Sequence, residues 1–224
     1  MNIDLTPLLL TFKLALITTI VLIFIGIPLA YWLAFSPRKW KWTIEPLVSM
    51  PLVLPPTVLG FYILITLGSQ SWLGNFLSSV FHIQMVFSFV GLVVGSVIFS
   101  LPFMVNPLKA GFENVPQALI DASATLGKSR RETLFKVLLP HIKSSLLSGI
   151  VMAFAHTIGE FGVVLMIGGN IPGETRTASI AIFSEVEALN YQTANFYAVI
   201  MLVMSFSILL ALYWINRKSL RTTF

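Results

Sequence analysis

Two ionisable side chains, His156 and Glu160, stand in an otherwise apolar stretch and could carry chemistry. Residues four apart lie on the same face of a helix. Three interpretations stay open: a polar patch at a gate or transport path, a buried His–Glu hydrogen bond that only fixes packing, and a metal site. Two ligands are too few for a metal and no HExxH pattern occurs, so we expect no metal site.

A second pattern, Gly127-Lys128-Ser129, matches the end of a phosphate-binding P-loop. That motif also needs a glycine five residues before Gly127 and a preceding β-strand. This chain has Ala122 at that position, and the residues before Gly127 favour a helix. We therefore expect this chain to bind neither ATP nor any other cofactor.

The composition excludes most classes of protein. Of 224 residues, 56% are hydrophobic and only 10% are charged, whereas soluble domains carry about 25% charged residues. The absence of cysteine excludes disulfides, Fe–S clusters and thiolate sites. A soluble enzyme is excluded on these grounds, and we predict an all-α membrane protein with a single domain over residues 1–224.

Five apolar stretches are long enough to cross a hydrocarbon core about 30 Å thick as helices. We predict spans at about residues 14–35, 46–67, 85–108, 144–168 and 196–215. The first stretch is too long for a signal peptide, and no cationic segment precedes it.

The cations predict the orientation. Three lie between spans 1 and 2, six between spans 3 and 4, and three after span 5, which makes 12 of the 14 Lys and Arg residues. Because cytoplasmic loops are enriched in Lys and Arg, we expect the N-terminus outside and the C-terminus in the cytoplasm. The net charge of +5 is then a topology signal, and we expect no nucleic-acid partner.

Span 2 contains four prolines within eleven residues: Pro46, Pro51, Pro55 and Pro56. Each interior proline removes a backbone hydrogen bond, and broken helices occur at membrane depth only in protein or along a cavity. We therefore place Pro55, Pro56 and the following Thr57 on a pathway, with simple distortion of the helix as the alternative.

The loop between spans 3 and 4, residues 113–140, has its own helical pattern. Pro116 suits the first turn of a short helix, and Gly127 is placed to end that helix in the left-handed conformation. Ser129 and Glu132 then form an S-x-x-E capping box that starts a second helix. We predict two helices joined by a glycine turn at the cytoplasmic surface.

Within this loop a longer spaced pattern occurs. Its members are Asp121, Ala122, Ser123, Gly127, Val137, Leu139 and Pro140. The pattern resembles the "EAA" loop of ABC importer permeases: Glu-Ala-Ala, three residues, Gly, nine residues, Ile-x-Leu-Pro. Asp121, Ser123 and Val137 depart mildly from it. The resemblance implies a type I ABC importer permease fold whose loop docks on a separate ATPase subunit; a surface hairpin without a partner is the alternative.

Residues 51–60 (PLVLPPTVLG) and 155–176 (AHTIGEFGVVLMIGGNIPGETR) resemble the molybdate permeases of that family. This resemblance implies a homodimer in the bacterial inner membrane, two ATP-binding subunits that hold ATP and Mg, and a periplasmic molybdate-binding protein. The chain would then perform no covalent chemistry. The shorter GEFG element also occurs in sulfate and tungstate permeases, so those substrates stay open.

Glu160 constrains any path for an oxyanion, because an ionised carboxylate repels an anion strongly at low dielectric. The spans contain no Arg, and their one Lys, Lys13, lies at an outer end. We therefore expect high-affinity recognition to lie outside this chain. A proton-coupled carrier that uses His156 and Glu160 is a rival hypothesis, but such carriers have repeated halves and none is evident. An intramembrane enzyme would need a second acid or a Ser–His pair.

Overall fold

All regular secondary structure in residues 4–81 and 84–221, the part that the computed structural model describes, is helical. The elements in chain order are α1 (Thr6–Phe35), α2 (Lys41–Ser49), a 3₁₀ turn (Met50–Leu52), α3 (Pro56–Leu67), α4 (Trp72–Phe81), α5 (Phe89–Glu113), α6 (Gln117–Thr125), α7 (Arg130–Thr133), a π-helical segment (Leu134–Leu138), α8 (Leu139–His141), α9 (Lys143–Ile158), α10 (Gly162–Gly168), α11 (Ala178–Glu187) and α12 (Tyr191–Arg221).

Three of the described helices are long and apolar enough to cross a membrane unbroken: α1, α5 and the Tyr191–Ala211 part of α12. Two bent helix pairs raise the number of candidate spans to five if each pair counts as one. The fold is therefore that of an all-helical membrane protein, in which the three unbroken helices accompany two interrupted ones.

The prolines interrupt the second span, as expected. Residues Lys41–Leu52 and Pro56–Leu67 meet at an angle of 112°. Pro55 precedes α3 in an extended conformation (ψ 134°), and Pro56 occupies its first turn. Proline cannot donate a backbone hydrogen bond but suits a helix start, so the paired prolines both end one helix and begin the next.

The second bent pair consists of Arg130–His141 and Lys143–Ile158, which meet at 79°. The fourth predicted span, residues 144–168, has a further break that its sequence did not predict. Helix α9 ends at Ile158, and α10 begins at Gly162. Glycines stand on both sides of the break, at Gly159 and Gly162, and glycine is about 1 kcal/mol less favourable than alanine within a helix.

The core lies where α1, α5 and α9 pack together. Its fully buried residues include Leu22 of α1, Met104, Leu108 and Phe112 of α5, and Ala153 of α9. A second cluster joins α3 and α10 through Leu59, Ile63, Val163 and Ile167. These two clusters hold the broken spans against the unbroken ones, so the helix breaks lie at fixed positions.

Candidate functional site

A cavity of about 540 Å³ lies where the two interrupted spans meet. It is lined by Pro56, Thr57, Phe99, Ala155, His156, Gly159, Glu160, Phe161 and Gly162. Four of the five predicted path residues therefore share one cavity, and Pro55 lies next to them as the residue that caps α3. The lining includes no Lys or Arg.

His156 lines this cavity but is held by α5. Its Nδ1 lies 2.9 Å from the hydroxyl of Ser100, which also lies 3.0 Å from the hydroxyl of Thr157. The imidazole stacks on Phe103, with ring centroids 3.9 Å apart. These contacts fix the ring against α5 and leave it only partly buried.

The predicted placement of His156 and Glu160 on one helix face is wrong. Glu160 lies beyond the end of α9, in the break, and its backbone carbonyl accepts a hydrogen bond of 2.6 Å from the Ser179 hydroxyl. The His–Glu hydrogen bond is absent as well, because neither carboxylate oxygen of Glu160 has a hydrogen-bond partner among the described residues. Gly159 ends the helix and releases Glu160 from its periodicity.

The carboxyl group of Glu160 lacks a partner. The residue is 4% exposed, and neither carboxylate oxygen has a hydrogen-bond partner among the described residues. The buried Ser96 hydroxyl on α5 interacts with this carboxyl but makes no hydrogen bond of normal geometry with any described residue. Buried polar groups are nearly always hydrogen-bonded, so an unsatisfied carboxyl in a helix break that borders a cavity is typical of a functional position.

The start of α3 lies directly against the start of α10. A Cβ added to Gly162 would meet Pro56 Cβ at 2.7 Å and the Thr57 backbone nitrogen at 3.3 Å. Glycine at 162 therefore allows the close approach. The approach brings the N-terminal turn of α3, with its positive dipole end, to the wall of the cavity that also holds Glu160.

The second candidate site is the loop at residues 113–140, whose turn has the predicted geometry. Gly127 has a φ of +69°. The Gly127 amide bonds the Ala124 carbonyl, and the Lys128 amide bonds the Ser123 carbonyl. These two bonds form the Schellman motif that ends many helices, so the predicted glycine turn is confirmed.

The predicted capping box is confirmed too. The Glu132 amide donates to the Ser129 hydroxyl at 3.3 Å, and the Ser129 amide donates to the Glu132 carboxylate at 3.2 Å. Lys136 bonds the same carboxylate at 3.0 Å. Lys136 first, and then Ser129, lower the pKa of Glu132 from 4.5 to about 2, so Glu132 stays ionised at neutral pH.

A hydrogen bond holds the two halves of this loop together, and a buried leucine joins the loop to the rest of the protein. The Ser123 hydroxyl lies 2.8 Å from the Thr133 hydroxyl and ties α6 to α7. Leu138 is 2% exposed and belongs to the main core. The loop is therefore a packed unit continuous with α9.

A family model described as "Binding-protein-dependent transport system inner membrane component" matches residues 26–221. The chain belongs to this family. Among its relatives, the molybdenum transport system permease protein ModB of Azotobacter vinelandii is 44% identical over 94% of this chain and 93% of its own length. The putative molybdenum transport system permease protein YvgM of Bacillus subtilis is 32% identical over 95% of this chain and 92% of its own.

Solved structures agree on the fold. A bacterial alginate ABC transporter in complex with an alginate-bound periplasmic protein matches with a TM-score of 0.77 at 16% identity, over 97% of this chain and 80% of the other. The MetNI methionine ABC transporter in an inward-facing conformation matches with a TM-score of 0.72 at 17% identity, over 95% and 94%. The fold is that of the type I ABC importer permeases.

In this binding-protein-dependent permease, the remaining loop residues divide by exposure. Asp121, Ala122 and Pro140 are exposed, whereas Val137 and Leu139 are partly buried. Gln117 donates a 3.0 Å bond to the Asp121 carboxylate. The exposed members of the pattern are available to a partner, and the buried members hold the loop in place.

Sequence reasoning missed several residues of both sites. Ser100 contacts His156 of the cavity wall, and Ser96 interacts with Glu160. Both contacts come from tertiary packing, and no local pattern marks either serine. Leu126 and Phe135 of the loop are 76% and 65% exposed. Large apolar residues among the polar residues of a surface loop are a sequence signal for a contact surface.

Proposed function

We propose that this chain is the permease subunit of an ATP-driven importer that moves molybdate across the bacterial inner membrane. The 44% identity to the Azotobacter vinelandii molybdenum permease over 94% of the chain carries the proposal. Further relatives named as molybdenum permeases, such as that of Escherichia coli at 32% identity over 87% of the chain, support it.

The cavity between the interrupted spans is the proposed path. Its lining residues Thr57, His156 and Glu160 are polar, and none of the lining residues is cationic. An oxyanion would meet only weak attraction there, from the Thr57 hydroxyl and the N-terminal turn of α3. Weak binding suits a path, because a tightly held ion would not leave it.

Glu160 is the proposed gate in this path. The carboxylate oxygens are buried and unpaired, and the residue occupies the break between α9 and α10. In its ionised form, this carboxyl opposes the passage of an oxyanion beside it. A movement of the break that carries Glu160 away from the path would remove this barrier.

The loop at residues 113–140 is the proposed coupling element. It presents Asp121, Ala122, Leu126 and Phe135 at its surface. Its second half leads through α8 into α9 at an angle of 79°, and α9 ends at the break that holds Glu160. A displacement of the loop by a docked ATPase would therefore reach the gate along a single helix.

The proposed assembly is a homodimer of this chain with two ATPase subunits, which bind ATP and Mg, and a periplasmic molybdate-binding protein. The family description names both an inner membrane component and dependence on a binding protein. The 12 cations on one side support an external N-terminus and a cytoplasmic C-terminus, with the coupling loop inside.

Sulfate is the second candidate substrate. A probable sulfate permease of Nephroselmis olivacea is 33% identical over 79% of this chain and 63% of its own length, a lower identity and a smaller share than for the Azotobacter vinelandii permease. Tungstate has the charge and shape of molybdate, and the sequence resemblance alone does not separate the two.

The test is uptake of labelled molybdate into vesicles that contain the reconstituted permease, ATPase and binding protein, with ATP enclosed with the ATPase. We expect uptake that needs ATP and that excess unlabelled molybdate suppresses more strongly than sulfate. Stronger competition by sulfate would make sulfate the substrate. Uptake driven by a proton gradient without ATP would refute the importer.

A further inference from the structure

A basic and aromatic patch lies between α1 and α2, formed by Arg38, Lys39, Trp40 and Trp42. Trp40 is 76% exposed and Trp42 is 83% exposed. Arg38 and Lys39 are exposed as well. Two exposed indoles beside two exposed cations suit a binding surface that has both apolar and negatively charged groups.

The position of the patch along the chain sets its depth in the membrane. The apolar part of α1 from Leu14 to Phe35 has 22 residues, or about 33 Å of helix at 1.5 Å per residue. That length matches a hydrocarbon core of about 30 Å. The chain leaves α1 at Ser36, so the patch begins where the headgroup region begins.

Ion pairs hold the patch at the same level against a second span. Lys41 at the start of α2 lies 3.6 Å from Glu113 at the end of α5. Lys109 of α5 pairs with Glu45 of α2 and lies 3.6 Å from Glu113. Lys41 and Lys109 are thus neutralised by acidic partners.

Among the residues that the structure describes, no ion pair involves Arg38 or Lys39. The ion pairs of Lys41 and Lys109 also hold α2 against α5. Beyond the patch, Leu47 of α2 is 60% exposed, and Met50, the residue directly after α2, is 41% exposed. The connection before α2 thus carries the two cations, and α2 with the residue after it carries exposed apolar side chains.

We propose that this patch binds anionic phospholipid headgroups of the inner leaflet, with the Arg38 and Lys39 side chains on the phosphates and the Trp40 and Trp42 rings at the interface. Tryptophan concentrates at membrane–water interfaces, and cations beside an anionic leaflet bind it electrostatically. The assignment to the inner leaflet rests on the orientation given under the proposed function. The lipid would anchor α2 and, through it, the broken span that lines the cavity.

Tryptophan quenching by brominated lipid tests the proposal. The full chain is reconstituted in phosphatidylcholine vesicles that contain either brominated phosphatidylglycerol or the same fraction of brominated phosphatidylcholine. We expect the anionic lipid to quench more strongly. The preference should disappear in a Trp40→Phe/Trp42→Phe variant, which assigns the signal to the patch among the five tryptophans.

An Arg38→Gln/Lys39→Gln variant tests the charges. Each cation near an anionic surface strengthens binding to that surface roughly fivefold. Loss of both Arg38 and Lys39 should therefore reduce the affinity for phosphatidylglycerol relative to phosphatidylcholine on the order of 25-fold. An Arg130→Gln/Arg131→Gln variant loses the same charge from the coupling loop and should keep it. Salt at about 0.5 M should weaken the preference of the parent protein by screening.

Equal quenching by the two lipids, or a preference that survives the loss of Arg38 and Lys39, would overturn the proposal. The salt titration uses the unaltered chain, so the proposal stays open to refutation even if the variants fail to fold. Neither molybdate nor an ATPase is present in these measurements. The lipid-binding proposal can therefore fail while the proposed transport function stands, and the transport function can fail while the lipid-binding proposal stands.

Discussion

Substitution of Gly127 by valine should weaken coupling without preventing folding of the membrane domain. Gly127 has a φ of +69°, and a Cβ at this position would meet nothing within 4 Å. The penalty is therefore conformational and not steric. A residue with a side chain costs roughly 1–2 kcal/mol in the left-handed region, and a β-branched residue is stiffer still.

That penalty acts on the Schellman turn that orients α6 against α7. A cost of one to two kcal/mol changes an equilibrium by a factor of about 5–30. We expect the apparent affinity for the ATPase subunit to fall by up to this factor, because only the native turn presents the loop correctly. The measurement is a titration of purified ATPase onto the permease in lipid nanodiscs, followed by molybdate uptake at matched expression.

Two variants serve as controls. Gly173 has a φ of +79° and equally empty surroundings, but it lies in the loop between α10 and α11. Gly173→Val carries the same backbone strain and should leave docking unchanged. Gly127→Asn should recover most of the affinity, because asparagine visits the left-handed region readily. Docking of Gly127→Val within twofold of the parent, or an equal loss in Gly173→Val, would refute the assignment of the loop.

Three further predictions concern the gate, the topology and the capping box. Glu160→Gln should leave the protein level unchanged, because neither carboxylate oxygen makes a hydrogen bond of normal geometry, but it should alter uptake and ATPase stimulation. The same change at exposed Glu174 is the control. Loss of the Glu160→Gln protein from detergent extracts would instead indicate a packing role. Since the chain has no cysteine, single introduced cysteines report the topology directly. Gln70→Cys should react with a membrane-impermeant thiol reagent on intact cells, and Lys39→Cys should not. The reverse pattern would overturn the orientation. The lowered pKa of Glu132 means that its capping interaction stabilises the loop fully above about pH 4.5 and is lost as the pH falls towards 2. An NMR titration of the labelled Glu132 carboxyl in nanodiscs should show a midpoint near pH 2. A midpoint near 4.5 would show that the carboxylate makes no capping interaction.

Local sequence patterns predicted the features that depend on neighbouring residues alone. Consecutive apolar residues predicted the long helices α1 and α5, because a helix in lipid satisfies its own backbone hydrogen bonds. Proline chemistry predicted the interruption before α3, and an S-x-x-E pattern predicted the capping box. Each of these follows from contacts within about five residues, which the sequence states directly.

Long-range packing decided the arrangement of the proposed gate region. The sequence places His156 and Glu160 four apart, and a continuous helix would put them on one face. Instead, the Ser100 hydroxyl on α5 is hydrogen-bonded to the His156 imidazole, and the Ser179 hydroxyl donates to the backbone carbonyl of Glu160. Both partners are distant in sequence, 56 and 19 residues away, so no local pattern predicts them.

The sequence by itself determined that this chain is a helical membrane protein with a helix–turn–helix loop and an interrupted second span, because composition, proline and capping residues act locally. Only the tertiary structure decided that Glu160 leaves its helix, lies unpaired and shares a cavity with Thr57 and His156. The physical reason for the shared cavity is that α3 packs closely against the start of α10, where Gly162 has no side chain. A contact between residues more than a hundred positions apart is a property of the packed fold and not of any one segment.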